Sequence, residues 1–183
     1  MIKIVDDLFS EEELNNKITD WTNIQTTQEA NESTAYKKLT DDTVSSIENK
    51  MLKEAGNYFY MSDVVGYEVW IHNRESATNI GEHIDTPHFS MEGHRNRTPK
   101  LGDTWPVCST ILYVEVSDDL DGANLVLNTG FGTTQTIVPK SGRYVAFGPG
   151  IYHHTTNSTK GQRSSINVNP YTKFFDTKFT RLW

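Results

Sequence analysis

Residues 142–169 read GRYVAFGPGIYHHTTNSTKGQRSSINVN, and this stretch decides the fold class. Three β-rich runs, at 143–147, 151–157 and 163–169, alternate in it with turns containing Gly, Pro and Asn. Short runs bounded by such residues are typical of strands rather than helices. The stretch therefore predicts part of an antiparallel β domain.

The same pattern reaches back along the chain to Gly66. Five further β-rich runs precede the quoted stretch, at 66–73, 80–85, 107–117, 123–128 and 133–138. Eight short strands predict a jelly roll, or double-stranded β-helix, in which two antiparallel sheets face each other. The polar segment 86–106 interrupts the series, and a loop of that length in a compact domain is usually a lid, a binding loop or disordered.

The N-terminal third carries helical signals. They follow a short opening strand that is suggested by Ile2, Ile4 and Val5. Ser10 and Glu13 have the spacing of a capping box, in which each side chain binds the other residue's backbone N–H. The helix that starts there is expected to turn one apolar face inward, formed by Leu14, Ile18 and Trp21.

A second helix is predicted to begin near Thr40 or Asp41. Its inward face would consist of Val44, Ile47, Met51 and Ala55. The polar residues 22–38 between the two helices are predicted to form a loop. The fold expected from the whole chain is mainly β (α+β), a jelly roll of about eight strands with the N-terminal helices packed on one sheet.

The composition fits a single globular domain. The chain has 183 residues, of which 36% are hydrophobic, enough for one domain with a true core. We expect one domain over 1–183, in which residues 1–60 form a helical support and residues 61–183 form the jelly-roll core. The single cysteine, Cys108, excludes an intramolecular disulfide and a metal site built from cysteines.

Charge and hydropathy restrict the partners and the compartment. The formal net charge is −7 and no long basic run occurs, which argues mildly against nucleic acid as a partner. No apolar run approaches the length of a membrane span. The opening MIKIVDDLFS lacks the pattern of a signal peptide, so a cytoplasmic location is expected. Nothing in the sequence indicates the oligomeric state.

A candidate metal site begins at His83 and Asp85. Residues two apart on a strand share a face, so both side chains would enter one cavity. One imidazole and one carboxylate form two-thirds of a facial triad, whose open positions suit non-haem Fe(II). A third ligand can come from His153 or from its neighbour His154. The tripeptide alone is a weak signal, because His-x-Asp is common by chance.

Arg163 and Ser165 strengthen this interpretation. Arg163 lies ten residues beyond His153 (163 − 153 = 10), and Ser165 shares its face of the predicted strand. A guanidinium group and a hydroxyl group can together bind a carboxylate. An arginine buried beside a metal cavity also needs an anion to offset the loss of its hydration. The pattern therefore predicts a site for a carboxylate next to the metal.

These residues resemble the pattern of the Fe(II)/2-oxoglutarate dioxygenases, in particular their prolyl-4-hydroxylase-like branch. The family pattern is His-x-Asp, a distal His and a basic residue about ten positions later. The resemblance implies that Fe(II) is bound by His83, Asp85 and His153. The spacing to the basic residue selects His153 over His154. It also implies that the 2-oxoglutarate C5 carboxylate is bound by Arg163, Ser165 and Tyr113.

Other parts of the chain support the resemblance. The run Ile111 to Val114, followed by Asp121-Gly122-Ala123-Asn124-Leu125, is similar to the family's strand–turn–strand, except that Ala123 replaces a glycine. The opening from Ile4 to Glu12 is also similar to the family's usual start. The likeness is weak over residues 20–60 and absent over 88–106.

The resemblance implies an oxygenase that uses Fe(II), 2-oxoglutarate and O2, with ascorbate as a further candidate. Succinate and CO2 would be released as a C–H bond of the prime substrate is hydroxylated. The first candidate substrate is a prolyl residue in a peptide, followed by a free amino acid or another small molecule. Candidate substrate contacts are His72, His88, Arg95 and Trp105. Each of these residues is also compatible with an ordinary surface or core position.

Two other functions remain compatible with the sequence. One is a cupin-like metal protein, such as an isomerase or a sensor, that uses no 2-oxoglutarate. The other is a non-catalytic β-sandwich in which His83, Asp85 and His153 are unrelated. The pair Arg163 and Ser165 argues against both, because neither function requires that pair beside the distal histidine.

Overall fold

The computed structural model describes residues 1–15, 32–39, 45–74, 79–85 and 105–173. Within these ranges the chain forms two helical segments and eleven strands. The helical segments are α1 (residues 11–15) and α2 (Ser46–Gly56). The strands are β1 (Ile2–Val5), β2 (Glu32–Lys38), β3 (Gly66–Arg74), β4 (Ser109–Val116), β5 (Asp121–Gly122), β6 (Leu125–Gly130), β7 (Thr133–Ile137), β8 (Tyr144–Phe147), β9 (His153–Thr155), β10 (Ser158–Lys160) and β11 (Arg163–Tyr171).

The strands form one large sheet and two small ones. The large sheet has the order β1-β8-β4-β11-β3-β2, and every neighbouring pair in it is antiparallel. A three-stranded sheet has the order β7-β6-β9, and β10 pairs with β5. The prediction of a mainly β, antiparallel chain is confirmed. The described residues contain eleven strands rather than about eight, because β2, β5 and β10 lie outside the predicted runs and β1 adds to them.

The large sheet separates two apolar clusters. On one face, Leu112, Val114 and Ile166 pack against Met51 of α2. On the other face, Ile111 and Val145 of the large sheet pack with Leu125, Leu127 and Ile137 of the three-stranded sheet. Successive residues of a strand point to opposite faces, so β4 contributes to both clusters. The space between the two sheets is therefore the inside of the domain.

Helix α2 begins later than the sequence predicted. Ser45 is its N-cap: the Ser45 hydroxyl accepts from Glu48 N at 3.2 Å, and the Glu48 carboxylate accepts from Ser45 N at 2.8 Å. This capping box fixes the start at Ser46, so the predicted start near Thr40 or Asp41 is wrong. Three of the predicted inward residues, Ile47, Met51 and Ala55, are buried. The fourth, Val44, lies outside the described residues.

The chain's first helical turn follows the prediction. Ser10 N donates to the Glu13 carboxylate at 2.8 Å, and Glu13 N donates to the Ser10 hydroxyl at 3.1 Å. Phe9 and Leu14 are both buried in the cluster beneath α2. The opening strand β1 is also present, paired with β8. The predicted inward residues Ile18 and Trp21 lie outside the described residues.

The predicted loop 22–38 is wrong for its last seven residues. Residues 32–38 form β2, which pairs with β3 along its whole length. Strand β2 lies at the edge of the sheet, where a strand needs little apolar surface and lysine is common. Lys37 also binds the buried Glu48 of α2 at 2.8 Å. Backbone pairing and this ion pair, rather than an apolar pattern, stabilise the strand.

The predicted strand 80–85 is also wrong. This segment forms one isolated antiparallel bridge, between His83 and His153. Ile80 N donates to the Thr155 hydroxyl at 2.7 Å, and Thr155 N donates to Ile80 O at 3.0 Å. The pairing does not extend into a ladder, and His83–His153 is the one bridge that this segment makes with β9. The segment nevertheless lies against β9.

Cys108 is buried, and burial raises the pKa of its thiol to about 12. At neutral pH the thiol is therefore protonated and a poor nucleophile.

Among the described residues, no helix has both the length and the apolar character required to span a membrane.

Candidate metal centre

Three side chains from two distant parts of the chain converge at β9. His83 and Asp85 come from the segment beside β9, and His153 is the first residue of β9. Their ligand atoms all lie within 4.8 Å of one another, and each imidazole Nε2 is 3.4–3.5 Å from Asp85 Oδ1. Metal bonds of roughly 2 Å place neighbouring ligand atoms about 3 Å apart at right angles. The spacing therefore suits a metal ion.

Backbone hydrogen bonds fix which nitrogen of each imidazole is available. His83 Nδ1 lies 2.8 Å from Gly81 O, and His153 Nδ1 lies 3.0 Å from Ile151 O. A carbonyl oxygen only accepts, so both Nδ1 atoms carry the hydrogen. In the neutral rings each Nε2 then directs a lone pair towards Asp85, where three electron-rich atoms meet. Such a group is stable with a cation among its members.

Asp85 is buried and charged. Burial alone would raise the pKa of its carboxyl group. When the rings of His153 and His83 are protonated, their positive charge and their hydrogen bonds to the carboxylate outweigh burial and keep this pKa well below its usual range. A divalent cation at the same position would act in the same direction. The carboxylate is thus ionised at neutral pH, as a metal ligand must be.

Asp85 is also held from the side away from the histidines. Asn169 of β11 donates from Nδ2 to Asp85 Oδ2 at 3.0 Å. The Asn169 Oδ1 atom accepts from Thr110 N at 3.0 Å, and the whole asparagine is buried. The two carboxylate oxygens therefore have different surroundings: Oδ1 faces the histidines and Oδ2 is bound by Asn169.

A second polar group lies on the inner face of the large sheet, the face that packs with the three-stranded sheet. Arg163, Ser165 and Tyr113 are all buried there. Arg163 Nη1 donates to the Ser165 hydroxyl at 3.3 Å, and the guanidinium carbon lies 5.5 Å from the centre of the Tyr113 ring. The structure thus brings together the three residues that the resemblance implied for 2-oxoglutarate.

Tyr113 has the chemistry of a donor for a buried anion. Burial raises the pKa of its phenol, and the charge of Arg163 offsets only part of this effect. The phenol is therefore neutral at pH 7 and keeps its hydrogen. Its oxygen is buried and has no hydrogen-bond partner among the described residues. A carboxylate between Tyr113 and Arg163 would satisfy the phenol and accept charge-assisted bonds from the arginine.

Strand β11 connects the two groups. Every second residue of this strand lies on the inner face, namely Arg163, Ser165, Asn167 and Asn169. Ser165 pairs with Tyr113 on β4, whereas Asn169, four residues later, binds Asp85. At about 3.3 Å per residue the two positions are roughly 13 Å apart along the strand. Between them lies Asn167, whose Oδ1 is buried and has no partner in the described part of the chain.

The remaining predicted residues lie in different places. His72 is opposite Ser165 on β3, so its register position is on the inner face. His154 follows His153 but does not belong to the three-residue group. Trp105 is partly exposed, and its ring lies against the backbone of Gly150 in the turn before β9. His88 and Arg95 lie outside the described residues.

Two inner-face residues, Asn167 and Asn169, were not predicted. They continue the two-residue step that joins Arg163 to Ser165. Both fall within the predicted strand 163–169, so the signal was available. The contact between Asn169 and Asp85 could not be read in this way, because 84 residues separate the two in sequence.

Comparison with known proteins identifies the fold. No protein-family model and no curated protein sequence matches the chain. Among solved structures, a prolyl-4-hydroxylase from Pseudomonas putida is 11% identical with a TM-score of 0.63, covering 93% of this chain and 92% of its own. A viral collagen prolyl hydroxylase from Paramecium bursaria Chlorella virus-1, solved with 2-oxoglutarate, is 14% identical with a TM-score of 0.61, at 94% and 96% coverage.

A third structure is a prolyl hydroxylase from Trichoplax adhaerens in complex with a peptide fragment of the hypoxia inducible factor oxygen degradation domain. It is 12% identical to this chain with a TM-score of 0.64, covering 93% of this chain and 83% of its own. The chain therefore has the fold of the prolyl-hydroxylase oxygenases, spanning nearly its full length. This agrees with the mainly β, antiparallel fold that the sequence predicted.

Proposed function

We propose that the protein is an Fe(II)- and 2-oxoglutarate-dependent dioxygenase that hydroxylates a C–H bond. In the overall reaction, substrate, 2-oxoglutarate and O2 give hydroxylated substrate, succinate and CO2. The observation that carries this proposal is the combination of a His-Asp-His group beside β9 with a buried Arg-Ser-Tyr group on β4 and β11, joined through Asn169 of β11. A metal protein without 2-oxoglutarate chemistry would require only the first group.

The first group would hold the metal. His83 and His153 would bind through Nε2, because their Nδ1 atoms donate to backbone carbonyls. Asp85 would bind through Oδ1. Three protein ligands leave open positions for cosubstrate and O2, and bound Fe(II) supplies the oxygen activation. The protein's own contribution is to fix these three atoms and to exclude competing ligands.

The second group would hold the far carboxylate of 2-oxoglutarate. Arg163 would donate charge-assisted hydrogen bonds, and the neutral phenol of Tyr113 would donate another. Ser165 accepts from Arg163 and so orients the guanidinium group. A dicarboxylate extending from this group towards the metal would bring its other end, with the 2-oxo group, to the iron.

Access to the metal is expected from the side of His83. The His83 side chain is 26% exposed, whereas those of Asp85 and His153 are 2% and 5% exposed. The prime substrate would therefore approach over His83, and the cosubstrate would occupy the interior. Burying the reacting atoms in this way limits unproductive reaction with water.

A prolyl residue in a peptide is the first substrate class to consider, followed by a free amino acid or another small molecule. The shared fold with the Trichoplax hydroxylase, which was solved with a peptide, supports this order. His72 and Trp105 are the described residues among the proposed substrate contacts, with His88 and Arg95 as further candidates. Ascorbate would serve as an auxiliary reductant that keeps the iron as Fe(II).

The test is release of succinate by the purified full-length chain supplied with Fe(II), 2-oxoglutarate, ascorbate and O2. Slow turnover is expected even without a prime substrate, together with a rise in melting temperature when metal and 2-oxoglutarate are added. Mass spectrometry of proline peptides and free amino acids should then detect a gain of one oxygen. If neither succinate nor a 2-oxoglutarate-dependent rise is observed, the proposed function is wrong.

The two adjacent histidines provide a matched control. His153→Ala and Asp85→Ala should abolish succinate release and stoichiometric metal binding. His154→Ala removes the same side chain one position along β9, on the opposite face, and should leave both intact. The reverse result would assign the ligand to His154. Metal binding without any effect of 2-oxoglutarate would instead favour the cupin-like function.

A further inference from the structure

Asn169 makes two hydrogen bonds whose directions fix its orientation. Thr110 N can only donate, so the atom facing it must be the asparagine oxygen. An ionised carboxylate can only accept, so the atom facing Asp85 Oδ2 must be the amide nitrogen. The amide cannot be flipped without losing both bonds. Asn169 is also fully buried, so water does not compete for either partner.

The bond from Asn169 occupies one of the two oxygens of the metal-ligand carboxylate. A carboxylate can bind a metal through one oxygen or through both. Asp85 Oδ1 lies 3.4 and 3.5 Å from the two imidazole Nε2 atoms, whereas Oδ2 is held at 3.0 Å by the amide nitrogen on the other side. To bind through both oxygens, the carboxylate would have to rotate and break the bond to Asn169.

We infer that Asn169 is a positioning residue that keeps Asp85 bound to the metal through Oδ1 alone. This inference rests on the proposed role of Asp85 as a metal ligand. Its consequence is the number of open metal positions: a carboxylate bound through both oxygens would occupy one more of them. A cosubstrate that takes two positions and O2 that takes one require all three to stay open.

The backbone half of the arrangement explains why Asn169 is rigid enough for this task. Thr110 N belongs to β4, the strand hydrogen-bonded to β11, so the amide is held between two strands of the large sheet. The Thr110 hydroxyl accepts from Val168 N at 3.2 Å, which strengthens the same contact. Asp85 is thereby fastened to the most central part of the sheet.

The experiment replaces Asn169 with leucine, which has a similar size and no donor. Asn167→Leu is the matched control, since it makes the same change on the same strand and face, two residues away. Each protein is loaded with Mn(II), and metal-bound water is counted by water-proton relaxation. We expect Asn169→Leu to hold one water fewer than the wild type and to bind Mn(II) about 10–100-fold more weakly. Asn167→Leu should retain the wild-type water count.

Each outcome has a distinct meaning. If Asn169→Leu keeps the wild-type water count and its Mn(II) affinity within twofold, the inference is wrong although the proposed function survives. If Asn167→Leu loses the same water, the effect is one of packing and the inference is also wrong. If the wild type binds no metal, both fail together. Should Asn169→Leu not fold, Asn169→Val tests the same loss of the donor with a residue suited to strands.

Discussion

The two faces of strand β11 are equally buried but chemically opposite. On the face towards α2, Ile166 and Val168 contribute to the apolar cluster. On the inner face, Arg163, Ser165 and Asn169 form or support the two polar groups of the candidate site. One strand thus supplies stability with its even-numbered residues and chemistry with its odd-numbered ones.

This difference shows how a polar–apolar alternation can mislead. Such a pattern ordinarily indicates a strand with one side in the core and one in solvent. In β11 both sides are interior: Arg163 binds Ser165, Asn169 binds Asp85, and the ligand we propose would bind Arg163. The comparison therefore predicts that substitutions on the two faces have separable effects, on stability and on binding.

The largest effect is expected on the apolar face. Ile166→Ala removes most of a side chain that is 1% exposed and should lower the free energy of unfolding by about 2–5 kcal/mol. The loss comes from reduced apolar burial and from the cavity that remains. Urea unfolding of the metal-free protein measures this decrease in the free energy of unfolding. Affinity for 2-oxoglutarate, determined well below the melting temperature, should stay within a factor of two, and a larger loss would show that the faces are coupled.

A smaller effect, of a different kind, is expected on the inner face. Arg163→Met keeps much of the side-chain volume but removes the charge. It should weaken 2-oxoglutarate binding about 10–100-fold, because hydrogen bonds to charged groups contribute roughly 1.5–3 kcal/mol. Titration of 2-oxoglutarate into the Mn(II) protein measures this change. Mn(II) affinity should be nearly unchanged, so an equal loss of both affinities would contradict the assignment of Arg163.

The smallest effect provides a surface reference for the two buried faces. Arg143 donates from Nε and Nη2 to the two oxygens of Asp6, at 2.6 and 2.9 Å. The Asp6 side chain is 39% exposed, so Asp6→Asn should lower stability by only about 0.2–1 kcal/mol at pH 7. Urea unfolding at several pH values tests this estimate.

The pH dependence of this pair has a definite sign. The hydrogen bond from Arg143 holds the pKa of Asp6 below its ordinary value. The stabilisation is therefore complete above the unfolded pKa of about 4 and is lost as pH falls through the lower folded pKa. The difference between wild type and Asp6→Asn should accordingly vanish in strong acid. A difference that grows towards low pH would contradict this explanation.

Much of the fold was predictable because its strands carry local signals. Every β-rich run except 80–85 contains a strand, since Gly, Pro and Asn mark the turns between them. Three elements were misjudged for specific reasons. Strand β2 is a polar edge strand whose stability comes from pairing with β3. Helix α2 is capped at Ser45, although Thr40 and Asp41 are also good capping residues. Residues 80–85 pair with β9 at a single bridge.

The site was predictable to the extent that its residues follow a strand or a family pattern. The structure groups His83, Asp85 and His153 as expected, although His83 and Asp85 are not on a strand. The support behind Asp85 was not predictable. It depends on Asn169, which is fixed by Thr110 N and which contacts Asp85 only in the folded chain.

The backbone bridge between His83 and His153 has a consequence for reconstitution. His83 N donates to His153 O, and His153 N donates to His83 O, both at 2.9 Å. Two of the three proposed ligands are thus fastened together by the main chain, without help from an ion. A chelator should therefore remove the metal and leave the chain folded, and fresh metal should restore the site without refolding. The protein would lend itself to exchange of one metal for another, a practical advantage for spectroscopy.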